Sequence, residues 1–542
     1  MKTAGGNAVT LRYNLLDEPL IRTRLVADGQ PKSFSLPALF VALANDEIRD
    51  FPALRPHQRH PWHAFLVQLA AMALHRAGRE EVFDTVSAWK EALLGLTPDD
   101  PDDAAWCLIS PHNRPAFMQA PVPGGSVDSW KNRIEAADEL DMLVTSKNHD
   151  LKAARMRLAG VDDWVMALVS LQTQEGYGGK NNWGISRMAG GFGCRIAMGA
   201  SPPGHFGRRW KRDLSALLNS RAAAIETYGL KAKDGHELLW LLPWDGKSAL
   251  SFSSLDPFYI EICRQVRLIP DNEFGLSAKV SGSEVARIAE HSPRGGTGDV
   301  WTPIDAASGE ALRVRSSGFG YELASALLFG LKYRNGEYKQ PSAMSLKESD
   351  GDTGIVALLQ AVSRGGPTGN KSVTEGYHER RIPISRTVRK LICSKQTDLL
   401  AKIAGEHVYA IGEIRQVLWV ALATLFNRGA DQEFSKNTKD CAGLWADKFE
   451  EVEDARFFDV LNAELESDQP ETEHLNWLLS MASSAEAVLK RAFAAGPQCG
   501  EQRYRAQAAA LSRLHAGLRS TKTLPVLAEY YRQQSTNKEL AL

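Results

Sequence analysis

The sequence has no unbroken run of about 18 apolar residues, the length that a helix needs to cross a bilayer, and residues 1–14 contain no apolar signal core. Membrane contact and secretion are therefore not expected, and the cytoplasm is the default location. C-x-x-C pairs are also missing. The six cysteines, Cys107, Cys194, Cys263, Cys393, Cys441 and Cys499, are scattered, which removes the spacing of zinc ribbons and redox motifs. Most of them are expected as reduced fillers of packed sites. A surplus of charge of one sign is absent too: 64 basic residues stand against 65 acidic ones, so any nucleic-acid contact must be confined to patches. There is no G-x-S-x-G elbow, no H-E-x-x-H and no His/Asp/Glu grouping at metal spacing. No catalytic residue, no metal and no other cofactor is expected on these grounds.

What is present is a chain of 542 residues with 44% hydrophobic and 24% charged content, enough for large cores and roughly two to four domains by length. Residues 9–40 alternate apolar and polar positions around Asp28-Gly29, a hairpin-type pair, and so predict two strands. Residues 61–77 and 84–96 have helical spacing, with Asp84 as the expected N-cap and Pro98 beyond the second helix. From about 98 to 384, Gly, Pro and short apolar runs alternate with turn pairs such as Asp234-Gly235 and Asn335-Gly336, the texture of irregular α+β structure. Within it, residues 354–363 read as helix. Residues 399–426, 441–465, 471–493 and 501–518 are four helix-length apolar-periodic segments. The fold class expected is α+β, with a large irregular mixed domain over 1–394 and an all-α four-helix bundle over 395–542.

Four loops stand out. The stretch 365–372 comes within one residue of a phosphate-binding loop, since Gly365, Lys371 and Ser372 fit G-x-x-x-x-G-K-[ST] while Asn370 replaces the second glycine. Its context also fails, because residues 354–363 before it read as helix, not strand, and residues 373–383 after it carry Gly376 and Pro383, and a nucleotide-binding enzyme remains only an alternative. The segment 176–187 has three glycines followed by Lys180, Asn181 and Asn182, so its backbone can approach a partner closely; a solvated turn has the same composition. Residues 146–150, SKNHD, precede a basic stretch and suit contact with a nucleic-acid backbone or simply with solvent. Residues 205–212, HFGRRWKR, place cations around Phe206 and Trp210. That arrangement suits base stacking, or equally a helix start with a buried tryptophan. Further on, the last helices carry Arg503, Arg505, Arg513, Arg519 and Lys522, read as one basic face, which for scattered surface cations is first of all a solvated one.

The order SLPALF (35–40), AFMQ (116–119), TSKNHD (145–150), GYGG (176–179), DPFYIEICRQVRL (256–268) and TEGYHERR (374–381) resembles the CasA family, the large subunits of type I-E CRISPR Cascade. The resemblance implies a non-catalytic antiviral subunit, partnered by crRNA, target double-stranded DNA, the other Cascade subunits and a helicase-nuclease effector. It implies that Gly176, Tyr177, Gly178, Gly179 and Lys180 read the protospacer-adjacent motif (PAM) from the minor groove, with Lys279 as a further groove contact. It implies that a wedge at Gly369, Asn370 and Lys371 helps start R-loop formation, although the glutamine common in the family's wedge is missing here. By the same resemblance Lys147, Asn148 and His149 touch the crRNA and a neighbouring subunit. A protein scaffold without DNA contact is the remaining alternative.

Overall fold

Asp28 and Gly29 turn the chain between the antiparallel strands Ile21–Leu25 and Pro31–Phe34. The Asp28 carboxylate accepts from Gln30 N at 2.9 Å and Gly29 takes φ +69°, which explains why a hairpin forms at this pair. The computed structural model describes residues 12–100, 102–140, 159–175, 182, 184, 195–271, 275–289, 297–334, 336–364, 374–429 and 433–540. They form two compact units, Met1–Phe319 with Asn335–Pro383, and Gly320–Arg334 with Ile384–Leu542.

In the first unit the helix Arg59–Arg76 is buried on every side from His60 to Leu74, as expected of an apolar helix with no polar face. Helices Val161–Gln174 and Phe206–Tyr228 and strand Leu255–Ile260 pack around it. Helix Val86–Gly95 begins one residue later than its sequence suggests, because Thr85, not Asp84, supplies the capping oxygen to Ala88 N at 3.3 Å. Tryptophans dominate the core, and most of the buried indoles have an acceptor, Trp62 and Trp164 excepted. Trp89 donates to Phe83 O, Trp106 to Thr97 Oγ1, Trp210 to Leu66 O and Trp240 to Ala105 O. The base-stacking reading of residues 205–212 fails for that reason. Trp210 is fully buried, and Arg212 is buried with its guanidinium on Asp350 and the Ala343 carbonyl; only His205, Arg208 and Lys211 of this cluster stand exposed.

Gly207 explains how the Phe206–Tyr228 helix sits so close to the turn after Leu36–Ala44. A Cβ at Gly207 would overlap the Leu43 carbonyl oxygen and lie 2.9 Å from Asp46 Cα. Both obstacles are backbone and neither can swing away. Gly207→Ala is therefore expected to destabilise the protein by about 3 kcal/mol, read as a lower urea midpoint. An unchanged midpoint would mean that the two segments separate freely.

Residues 354–363 are not helical. Ile355–Arg364 is the central strand of a three-stranded sheet, flanked by Ala197–Ser201, paired antiparallel from Val356↔Ser201 to Gln360↔Ala197, and by Thr374–Ile384. An apolar run buried on both faces loses the alternation that marks a strand, so periodicity cannot separate it from a buried helix. A second three-stranded sheet orders Asn132–Ile134, Gly275–Ser281 and Gln265–Asp271, all antiparallel.

The second unit centres on helix Thr397–Phe426, against which Lys436–Glu466, Pro470–Ala492 and Gly500–Leu518 pack. Its buried positions Leu400, Ala404, His407, Ile411, Ile414, Leu418 and Leu422 recur at three- and four-residue steps, one face of a helix. By length and composition this helix is apolar enough to cross a membrane, yet half of that stretch is buried in the protein, the property of a bundle core. Three further helices escape the sequence reading, two of them short: Tyr321–Phe329, Arg386–Cys393 and Pro525–Leu540. Tyr321 is tied to the bundle through its N–H to Asp454 Oδ1 at 2.6 Å and its hydroxyl to Glu450. The basic residues of the last helices do not share one face, because Arg503 and Arg505 point about 160° apart at 100° per residue. Cysteine usage is mixed. Cys107 and Cys263 are buried, and burial pushes the Cys107 thiol up to about 11, whereas Cys393 and Cys499 are exposed and Cys441 is half-buried.

Candidate nucleic-acid interface

The described residues that bracket the glycine loop are Glu175, at the end of helix Val161–Gln174, and Asn182, which bridges in parallel to Ser283. Both line a cavity of about 710 Å³, whose wall also includes Asn132, Arg264, Ser281 and Ser283. The cavity thus lies at the foot of the loop that carries Gly176, Tyr177, Gly178, Gly179 and Lys180, residues that are themselves outside the described ones.

Two side chains hold this foot in place. Gln172 Oε1 accepts from Cys263 N and Arg264 N, both at 2.8 Å, and its amide donates to the carbonyls of Met118 and Arg264. Gln119, from the AFMQ motif, accepts from Leu268 N at 2.6 Å and donates to Leu108 O at 2.9 Å. A buried amide that satisfies several backbone groups locks loop to strand, since each group left unpaired would carry a desolvation cost. Arg267 acts likewise: its buried guanidinium donates to the carbonyls of Ser110, Pro111, Arg114, Gln119 and Ala120. With no carboxylate beside it, burial pulls it down to about 10. The AFMQ and RQVRL segments are scaffold, and their polar residues serve the backbone.

The cavity wall is polar more than cationic. Arg264 is its one basic residue among those described, with Nε 3.6 Å from Glu175 Oε2, and Glu139 and Glu284 also face the space. Three carboxylates repel phosphate, whereas Asn132, Asn182, Ser281 and Ser283 offer donors and acceptors that suit base edges and sugars. Arg264 belongs to the DPFYIEICRQVRL segment but was given no role there, and Ser283 belongs to no motif read above; only the fold brings both to the loop. The described lining holds no His, Cys or Lys, so it presents neither a histidine base nor a thiol nucleophile. Lys279 sits in the Gly275–Ser281 strand next to this wall without lining it, and its amine donates to Val127 O at 3.3 Å.

The second candidate element is a strand–loop–strand unit. Strands Ile355–Arg364 and Thr374–Ile384 enclose residues 365–373, where Gly369, Asn370 and Lys371 lie outside the described residues. Its stem is cross-tied: Ser363 Oγ lies 2.9 Å from His378 Nε2, Gln360 donates to Tyr377 Oη at 2.7 Å, and Tyr377 donates to Glu379 at 2.6 Å. Burial opposes ionisation of Glu379, but the hydrogen bonds from Tyr377 and Gln360 and the nearby Arg59 and Arg381 outweigh it and keep its pKa below the ordinary value. A phosphate-binding loop runs from a strand into a helix N-terminus; here a strand follows, so the near-match at 365–372 lacks that dipole. Lys147, Asn148 and His149 also fall outside the described residues.

The fold is similar to that of the CRISPR-associated protein Cse1 from Acidimicrobium ferrooxidans, with TM-score 0.64 and 14% identity over 96% of this chain and 99% of that one. Cse1 from Thermobifida fusca gives TM-score 0.63 and 14% identity over 95% and 98%. Thermus thermophilus CasA (Cse1) gives 0.62 and 15% over 94% and 99%. No protein-family model matches the sequence, and no curated protein does. The chain has the Cse1/CasA fold over 94–96% of its length.

Proposed function

We propose that this chain is the non-catalytic large subunit of a type I-E crRNA-guided DNA surveillance complex. The observation that carries the reading is the Cse1/CasA fold over nearly the whole chain, joined to a polar cavity at the foot of the glycine loop. In such a complex guide pairing reads the target, and protein need read only a short duplex motif, as for RNA-guided effectors of another class. A glycine backbone with Lys180 and amide side chains senses groove width and the degenerate A·T versus G·C pattern, so the subunit tolerates several motif sequences. The cross-tied stem of residues 360–379 supplies a rigid base for a wedge at Asn370 and Lys371. The helical unit receives the helicase-nuclease: among the described residues, every exposed large apolar side chain except Val86 lies there, namely Leu399, Tyr409, Leu444, Val452, Tyr504 and Val526.

Co-purification of the chain with the products of its neighbouring genes tests the assembly, and a small RNA is expected to come along. Recovery of the same proteins without RNA would overturn it. The wedge has its own test. Asn370→Ala combined with Lys371→Ala is expected to slow strand opening roughly tenfold while initial binding stays within about twofold, because unstacking one base step costs a few kcal/mol that an inserted tip offsets. A pre-melted target should restore the rate. Equal defects on melted and intact targets, followed with a fluorescent base, would assign the loop to phosphate contact instead.

A further inference from the structure

We propose that the helical unit binds a divalent transition-metal ion, zinc by its ligand chemistry, between His407, Glu464 and His474. His407 lies in the middle of Thr397–Phe426, Glu464 in the last turn of Lys436–Glu466, and His474 in the first turns of Pro470–Ala492. Their ligand atoms all lie within 4.8 Å of one another. Glu464 Oε2 is 2.6 Å from His407 Nε2 and 2.9 Å from His474 Nδ1. Fifty-seven residues separate the first pair and ten the second, so no linear spacing reveals the group.

Two imidazoles and one carboxylate form a three-ligand set that zinc accepts with a water in the fourth position. Calcium and magnesium call for an oxygen cage that is not offered here. Ligand atoms around a tetrahedral zinc stand about 3.3 Å apart, so the two distances from Glu464 to the imidazoles must lengthen by about half an ångström. Glu464 and His474 lie near helix ends, where that adjustment is least resisted. For the imidazoles to bind through lone pairs, the proton on His407 Nε2 must move to Nδ1 and that on His474 Nδ1 to Nε2. His407 Nδ1 is buried with no hydrogen-bond partner, so the move there breaks no other bond. Trp477 stacks on the His407 ring at 4.2 Å and fixes its plane, while the partly exposed His474 leaves a route in for the ion. Such an ion would staple three helices together, independently of any nucleic-acid role.

The full-length chain, freed of metal with EDTA, is titrated with Zn²⁺ by calorimetry and with Co²⁺ by visible absorption. One equivalent of zinc, tetrahedral cobalt bands and a higher unfolding midpoint with metal are expected. His474→Ala and Glu464→Gln, each checked for fold by circular dichroism, should lose that equivalent or weaken it by about a hundredfold. Failure of the unaltered chain to bind stoichiometric metal, or binding unchanged in His474→Ala, overturns the proposal and leaves the three residues as a hydrogen-bonded core group.

Discussion

Replacing Gly178 and Gly179 with valine in the assembled complex is expected to weaken binding to motif-bearing duplex on the order of a hundredfold, while binding to a duplex without the motif changes little. Minor-groove reading by a backbone requires contact distances that any Cβ prevents, and β-branched side chains also narrow the conformations open to the loop. The loss corresponds to about 3 kcal/mol, the scale of two or three specific hydrogen bonds. Assembly should survive, since the foot of the loop is held by Gln172 through the backbone of Cys263 and Arg264, not by the loop itself. An electrophoretic titration at fixed salt decides the matter. Affinity within about twofold of the original would remove the loop from motif reading and return it to a solvated turn.

The largest loss of stability is expected at Arg267. Its guanidinium satisfies five carbonyls of residues 110–120 from a fully buried position. Arg267→Leu fills much of the space but leaves those acceptors without donors, at a cost of about 3–5 kcal/mol. Arg267→Lys should recover only part, because an ammonium cannot reproduce the planar fork. Tryptophan fluorescence during urea unfolding reports it directly, as Trp106 and Trp240 stack edge to face close to that loop. A shift below about 1 kcal/mol in the leucine variant would show that the loop finds its partners elsewhere. The same loss should appear as reduced duplex binding only where the cavity foot has loosened, since Leu268 N shares the strand and holds Gln119.

Much of the architecture is legible in the sequence because local chemistry determined it. Asp28-Gly29 specified the first hairpin through a turn that only such residues adopt easily. Three- and four-residue apolar steps specified the helices Thr397–Phe426, Lys436–Glu466, Pro470–Ala492 and Gly500–Leu518 to within a turn at each end, except that Lys436–Glu466 starts five residues before the expected 441, and the order of six short motifs pointed to the fold that the chain shares with Cse1 and CasA. Tertiary structure alone decided the rest. Ile355–Arg364 became a strand because neighbours on both edges took its hydrogen bonds, a choice invisible in a uniformly apolar run. Trp210 and Arg212 went into the core because Leu66 and Asp350 were waiting there with acceptors. The cavity wall of Asn182, Arg264 and Ser283, and the grouping of His407, Glu464 and His474, join residues far apart in the chain. Periodicity and turn chemistry act over a few residues, whereas the positions of these groups follow from long-range packing, and no local pattern encodes them.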